Sequence, residues 1–495
     1  MYKPEWGVLS AIVLLAWVPF GFWLFSRQRP TRAATHVLVW GMMWLPEAAA
    51  FDLPLLPPLD KYMLCALIAL AGVWRRAPKR LKAARVWRGW DLFIVALLLG
   101  LIATVANNGE VLRYGELHVT ELPALTAYDW LYTAIKLVLT VLVPCVLGRA
   151  LIRNQRDLVD VLTIFVKAGL VYSIPILWEL RMSPMLHMNV YGFMPRWDWL
   201  QNMRQGGWRP TVFMGHGLVV GFFMFLCTTA AVTLKQAGKR QVFGIPMWAV
   251  VLTLLVMLVL CKAIGALIYG VAAYGLLSWF SVRARMRALT LVALLVAAYP
   301  VSRMFDVFPV GLVMDVAKMI GPARAQSLEF RFDNEDMVLT KGAEKLWFGW
   351  GGFARDHVYD DYLGKDLVVQ DGHWIIVFGH LGLVGFVCTF ALLLWPVLMA
   401  RTGVRSLQTQ FDRSLLSGLA TLVAFCALNL LPNMSLPNLE LYFAAGLAVL
   451  ARTMPRQARM LRARKARTAM GRASRPNRTR KQAGFFEPVQ CQPRR

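Results

Sequence analysis

The chain has 495 residues, of which 58% are hydrophobic and only 17% charged, with a mean hydropathy of +0.51. That balance excludes a protein whose only solvent is water. Its formal charge is +26, from 54 Lys and Arg against 28 Asp and Glu; in a soluble protein this surplus would point to nucleic acid, so where the charge sits decides the class.

A membrane span needs about 20 mainly apolar residues, because a hydrocarbon core of about 30 Å is crossed at about 1.5 Å per residue. Apolar runs occur at 7–26, 33–51, 59–74, 90–106, 130–148, 157–180, 210–234, 243–261, 263–281, 288–305, 373–399, 414–431 and 439–451. The third and last are short, and the eighth and ninth form one block split at Cys261-Lys262, so eleven to thirteen spans are expected. The runs are continuous and lack the ten-residue alternation of a barrel, and lipid cannot satisfy an open backbone. The expected fold is therefore an all-α polytopic membrane helix bundle.

Assigning the connections alternately to two sides places 36 basic residues on one side and 16 on the other, with Lys136 and Lys167 inside spans. The basic side is expected to be cytoplasmic, with the carboxyl terminus inside and, if all thirteen spans exist, the amino terminus outside. Arg27, Arg29 and Arg32 follow the first apolar run and only Lys3 precedes it, so that run reads as a retained span rather than a cleaved signal peptide. Residues 1–451 form the expected transmembrane domain. The tail 452–495 carries 14 basic residues and one acid, Glu487, and is expected to be disordered near anionic lipid.

Six of the seven cysteines fall in or beside apolar spans, and neither C-x-x-C nor H-E-x-x-H occurs, so no disulfide framework, metal cage or cofactor is expected. Two connections on the low-basic side are long, 181–208 and 306–372, and long loops in compact proteins are usually functional. The larger holds twelve acids and seven bases. Within it, Ser327 is placed to cap an amphipathic helix carrying Leu328, Phe332, Leu339, Ala343 and Leu346, which ends at Gly349-Trp350-Gly351-Gly352 and sets Arg331 in its first turn. Tyr191, Trp197, Trp199, Trp208, Trp347, Trp350, Tyr359 and Tyr362 cluster in these loops, either as an interfacial aromatic belt, the favoured reading, or as a stacking platform for sugars. Glu47, Lys136 and Lys167 lie inside spans, where charge is costly. His216 and His380 read as polar groups between helices, and Gly379, Gly382 and Gly385 as sites of close packing. Asp356, His357, Asp360 and Asp361 read as a solvated acidic loop rather than a metal site.

Four segments carry a family resemblance. They are Arg209-Pro210-Thr211-Val212-Phe213-Met214-Gly215-His216-Gly217, opening a span; Leu260-Cys261-Lys262-Ala263-Ile264-Gly265, between two spans; Ser327-Leu328-Glu329-Phe330-Arg331 through to Phe348-Gly349-Trp350-Gly351; and Asp371-Gly372-His373-Trp374-Ile375 followed by Gly379-His380-Leu381-Gly382-Leu383-Val384-Gly385. In this order they resemble the O-antigen ligase/O-antigen polymerase family of bacterial membrane glycosyltransferases, over roughly 205–400. The chain departs from the family where Pro-Asn is replaced by His216-Gly217 and where the family's His-Asn falls, ungapped, on Asp371-Gly372. A local shift would instead give the family histidine's place to His373; the register favours Asp371.

The resemblance implies transfer of a polyprenyl-diphosphate-linked glycan to a hydroxyl of a lipid or glycan acceptor, at the outer, periplasmic face of the bacterial inner membrane, with no metal and no nucleotide sugar; nucleic acid is not an expected partner because the basic surplus maps mostly to the cytoplasmic side, as an orientation signal. The leaving group is a diphosphate, and guanidinium forks suit its growing charge. Arg209 and Arg331 are the candidates to bind it, Lys262 a third, and Asp371 or His373 the base that takes the acceptor proton. The competing expectation is a transporter or flippase of lipid-linked oligosaccharide, motivated by Lys136 and Lys167; no internal repeat supports it.

Overall fold

The computed structural model describes residues 6–84, 89–196, 202–204, 206–434 and 436–473. Trp197, Trp199 and the tail beyond Ala473 lie outside the described residues. The chain is an all-α polytopic bundle. In order, its helices are α1 (Val8–Arg27), α2 (Pro30–Trp44), α3 (Lys61–Arg76), α4 (Pro78–Ala84), α5 (Asp91–Ala106), α6 (Ala127–Leu137), α7 (Val143–Leu151), α8 (Gln155–Met182), α9 (Leu186–Tyr191), α10 (Gly217–Gln236), α11 (Met247–Leu260), α12 (Ile264–Ser278), α13 (Val282–Met304), α14 (Val310–Ile320), α15 (Pro322–Ala343), α16 (His373–Arg405), α17 (Gln410–Asn429) and α18 (Leu439–Ala473). A π-helical turn, Val138–Leu142, joins α6 to α7, and the described strands form short two-stranded hairpins.

A helix occupies most of each of the thirteen apolar runs, but among the described residues seven helices are long and apolar enough to cross a membrane: α1, the α6–α7 unit, α8, α10, α13, α16 and α17. α5, α11 and α12 are apolar but shorter. At about 1.5 Å per residue, the 14 residues of α11 rise about 21 Å, less than the hydrocarbon thickness.

α10 is the central helix, buried continuously from Val220 to Leu234 and packed on α8, α11, α12 and α17. α16 packs on α18, α17, α5 and α13. It is broken at Gly382, whose φ of 64° and ψ of −162° are non-helical. The Leu383 and Val384 N–H groups freed there donate to the carbonyls of Leu346 and Trp347, while Trp350 and Gly351 donate to Gly379 and His380. Of the glycines at 379, 382 and 385, the second therefore does more than permit close packing. Gly382, where a Cβ would meet the Trp347 and Phe348 backbone, lets the 346–351 turn interlock with a kinked helix.

Two other expectations are corrected. The helix carrying Arg331 starts at Pro322 and not at Ser327, because proline in the first turn needs no N–H partner and its fixed φ suits a helix start; a further helix, α14, precedes it. The expected disordered tail 452–495 is helical through Ala473 as the continuation of α18. Its Ala-, Arg-, Leu- and Met-rich sequence has high helix propensity, which outweighs the charge.

Candidate active site

Arg209, Lys262, Arg331 and Asp371, distant in sequence, line one cavity of about 1010 Å³. It lies between the start of α10, the α11–α12 turn, α15 and the end of α17. Arg196 and Arg204 join them, so among the described residues five cations face one carboxylate.

Each cation is set by local structure. Arg209 is buried, and its backbone N–H donates to the Asn202 carbonyl at 2.7 Å. Its stem lies on the first residue of α10, where a Cβ added to Gly217 would come within 2.5 Å of Arg209 Cγ. A guanidinium beside a helix N-terminus is electrostatically adverse in isolation and becomes favourable with an anion between them. Lys262 turns the chain between α11 and α12 with a positive φ of 52°, and its Nζ donates to the Arg204 carbonyl at 3.2 Å. This bond ties the 203–208 hairpin to the cavity rim.

Arg331 projects from α15. Its sequence neighbours Glu335 and Asp336 are taken by Arg303 of α13, at 3.4 and 2.7 Å, with Tyr299 and Trp374 also donating to Glu335. Burial, first, holds the Glu335 carboxyl above its ordinary range, against these donors. Arg331 instead pairs with Asp371, Nε to Oδ2 at 3.3 Å. Both side chains stay partly exposed, 28% and 44%. The pair also borders a second, mainly apolar cavity of about 170 Å³ under α15.

His216 caps α10, its Nδ1 accepting from the Leu218 N–H at 3.1 Å, which leaves Nε2 to carry the proton. Burial, reinforced by Arg209, Arg196, Arg331 and Arg204, holds its pKa down to about 3. It therefore offers the cavity a neutral N–H donor.

Asp371 and His373 are separated by the fold. His373 is the first residue of α16; its backbone N–H donates to the Asn433 carbonyl at 3.0 Å, and its side chain does not line the cavity. Only Asp371 faces the cations, so the structure brings together Arg209, Arg331, Lys262 and Asp371 and leaves His373 aside.

Among the described residues, the loop aromatics do not form a platform. Trp350 is buried under Lys341 and Lys345, at 4.0 and 4.3 Å from its ring. Tyr359 stacks on Tyr114 at 4.7 Å, and Tyr191 donates to the Trp44 carbonyl. Trp347 and Tyr362 are exposed. The rings that line the cavity are Phe222, Tyr269 and Phe330. In the acidic loop, Asp360 accepts from the Tyr362 and Leu363 N–H groups, His357 pairs with Asp366 at 2.7 Å, and the buried Asp356 faces His380 at 3.4 Å.

Arg196 and Arg204 were not singled out by motif, although both belong to the small set of bases on the low-basic side. No family model matches the chain, and no curated protein matches it.

Proposed function

We propose that this multi-pass protein is a glycosyltransferase of the bacterial inner membrane that transfers or polymerises a polyprenyl-diphosphate-linked glycan onto a hydroxyl acceptor during surface polysaccharide assembly, with the cavity on the outer face. The observation that carries the reading is the Arg331–Asp371 pair in the wall of a cavity otherwise lined by four further cations. A diphosphate satisfies that surplus, and a glycan held by it is presented to Asp371, the only carboxylate among the described residues lining the cavity.

In this mechanism the acceptor hydroxyl oxygen attacks the anomeric carbon and the bond from that carbon to the diphosphate oxygen breaks. The electron pair leaves on the polyprenyl diphosphate, and Asp371 takes the hydroxyl proton. Arg209, Arg331 and Lys262 stabilise charge growing on the leaving group, a contribution on the order of 3 kcal/mol per well-placed donor. Entry of the donor draws Arg331 onto phosphate and frees Asp371 as base.

The test is surface polysaccharide in a deletion strain complemented with Arg209→Ala, Arg331→Ala, Asp371→Ala or His373→Ala, with purified protein given lipid-linked oligosaccharide extracted from that strain. Loss of new glycosidic bonds in the first three supports the proposal; full complementation by every variant at normal expression overturns it. The transporter reading is motivated by Lys136 and Lys167, and of these Lys167 has a local contact. Lys167 reaches the ring of Phe243 in the 241–246 hairpin, at 4.7 Å. Flipping in proteoliposomes with no bond formed would favour that reading.

A further inference from the structure

A second basic cavity, of about 350 Å³, lies between the start of α13, the end of α16 and the start of α17, and is lined by Arg283, Arg287, Arg401, Arg405 and Arg413. No acid lines it. Arg413 donates to the Leu407 carbonyl at 2.9 Å. Arg283, Arg287, Arg401 and Arg405 have no hydrogen-bond or ion-pair partner among the described residues.

This differs from the other arginines at the same end of the bundle. The Gln155–Asp412 hydrogen bond, 3.2 Å, joins the start of α8 to the start of α17 and fixes that end. There, Arg29 and Arg32 pair with Asp160 at 2.7 Å, Arg80 pairs with Asp157, and Arg149 pairs with Asp91. An excess of positive charge needed only for orientation would not require five guanidinium groups to converge on one recess without a counter-charge. Such convergence is self-repulsive and is relieved by a polyanion, for which paired guanidinium forks have matching geometry.

We infer that this cavity binds an anion bearing two phosphate groups, presented by a lipid headgroup. Val282, Met286 and Val404 give the recess an apolar side. Trp279, Phe280 and Phe411, exposed at 77%, 51% and 43%, flank it at the ends of helices, the depth at which headgroup meets acyl chain. The site is separate from the proposed transfer site and does not depend on it.

The experiment uses the full-length protein in nanodiscs or detergent. Binding is measured by native mass spectrometry and thermal shift with tetraoleoyl cardiolipin, dioleoyl phosphatidylglycerol, dioleoyl phosphatidylethanolamine and sodium pyrophosphate. Cardiolipin is expected to bind more tightly than phosphatidylglycerol, and phosphatidylethanolamine not at all. The double variant Arg287→Gln/Arg405→Gln should weaken cardiolipin about tenfold or more, since a hydrogen bond to a charged group accounts for about tenfold or more in affinity. Arg283→Lys, which keeps the charge, should weaken it less. Pyrophosphate bound as tightly as cardiolipin would overturn the lipid source while keeping the diphosphate chemistry. Equal binding of phosphatidylethanolamine, no binding of either diphosphate probe, or unchanged affinity in a double variant of parental stability would overturn the inference.

Discussion

Arg331→Ala separates a chemical role from a structural one. The Arg331–Asp371 pair is partly exposed on both sides, and such pairs contribute about 0–1 kcal/mol to stability. Removing it should lower the melting temperature by no more than about 2 °C. If Arg331 instead meets charge developing on a leaving diphosphate, its loss raises the barrier by about 3 kcal/mol, or about 10²-fold in rate. The control is Arg303→Met, 33 residues away by sequence in the pair it makes with Asp336. Arg303 is only 2% exposed, and its removal leaves the buried Glu335 with two hydrogen-bond donors but no counter-charge, at a cost of about 3–5 kcal/mol. Folded protein should be quantified by detergent size-exclusion chromatography and transfer measured per folded molecule. Arg331→Ala should be folded and inactive, Arg303→Met scarce but active in whatever fraction folds, and Arg331→Lys intermediate, because it keeps the charge without the fork. A specific rate for Arg331→Ala within threefold of the parent, or a loss that only follows the folded amount, refutes the reasoning.

Asp371→Asn is expected to slow transfer about 10²-fold or more, whereas His373→Asn stays within about threefold; the reverse pattern in the same transfer assay would move the base to His373. Gly382→Ala should cost about 2–5 kcal/mol, from positive φ and a Cβ that would sit 2.4 Å from the Trp347 carbonyl carbon; Gly311→Ala, with open space around it, is the neutral control, and equal melting temperatures for the two would contradict the interlock. His216 predicts acid lability. Its folded pKa is held near 3, below the ordinary 6.5, so as pH falls below 6.5 the unfolded chain takes up a proton the folded chain refuses. The folded state loses on the order of 1–2 kcal/mol by pH 5. His216→Asn keeps a capping acceptor and should narrow the drop in melting temperature between pH 7.5 and 5; an unchanged drop assigns the lability elsewhere.

The helices were legible because apolar composition over about 20 residues is a direct response to lipid. Their ends were less so. α15 begins five residues before the capping serine, since Pro322 supplies a start signal of a different kind, and α18 runs past Arg452 because helix propensity does not register in a charge count. Arg209, Lys262 and Arg331 could be named in advance, each beside a turn or helix start. Their convergence could not, because nothing local joins Arg331 to Asp371, 40 positions on, in preference to Asp333, Glu335 or Asp336. Two of the nearer acids, Glu335 and Asp336, are taken by Arg303, a residue with no motif.

The buried charges of the bundle explain how Arg209 is held. The turn from Arg209 to His216 breaks regular structure at the mouth of α10, and within a membrane protein every such exposed N–H and carbonyl needs a partner. Glu179, fully buried, accepts from the Thr211 and Val212 N–H groups, both at 2.8 Å, and Tyr172 accepts from Phe213 N–H at 3.2 Å. Lys61, also buried, donates to the Phe213 carbonyl at 2.7 Å and to the Met42 and Leu45 carbonyls, with Glu47 as its counter-charge. Glu47 is in turn fixed through its N–H to His187 Nε2 and through its carboxylate to Tyr62. These groups solvate an irregular backbone where water would not, and Lys61→Met should misplace the 209–216 turn and lower folded yield while leaving Arg209 itself intact. If instead Lys61→Met folds normally and transfers at the parental rate, the turn is set by the loop alone. In that case the buried Lys61 and Glu47 would need a role of their own in moving charge through the bundle.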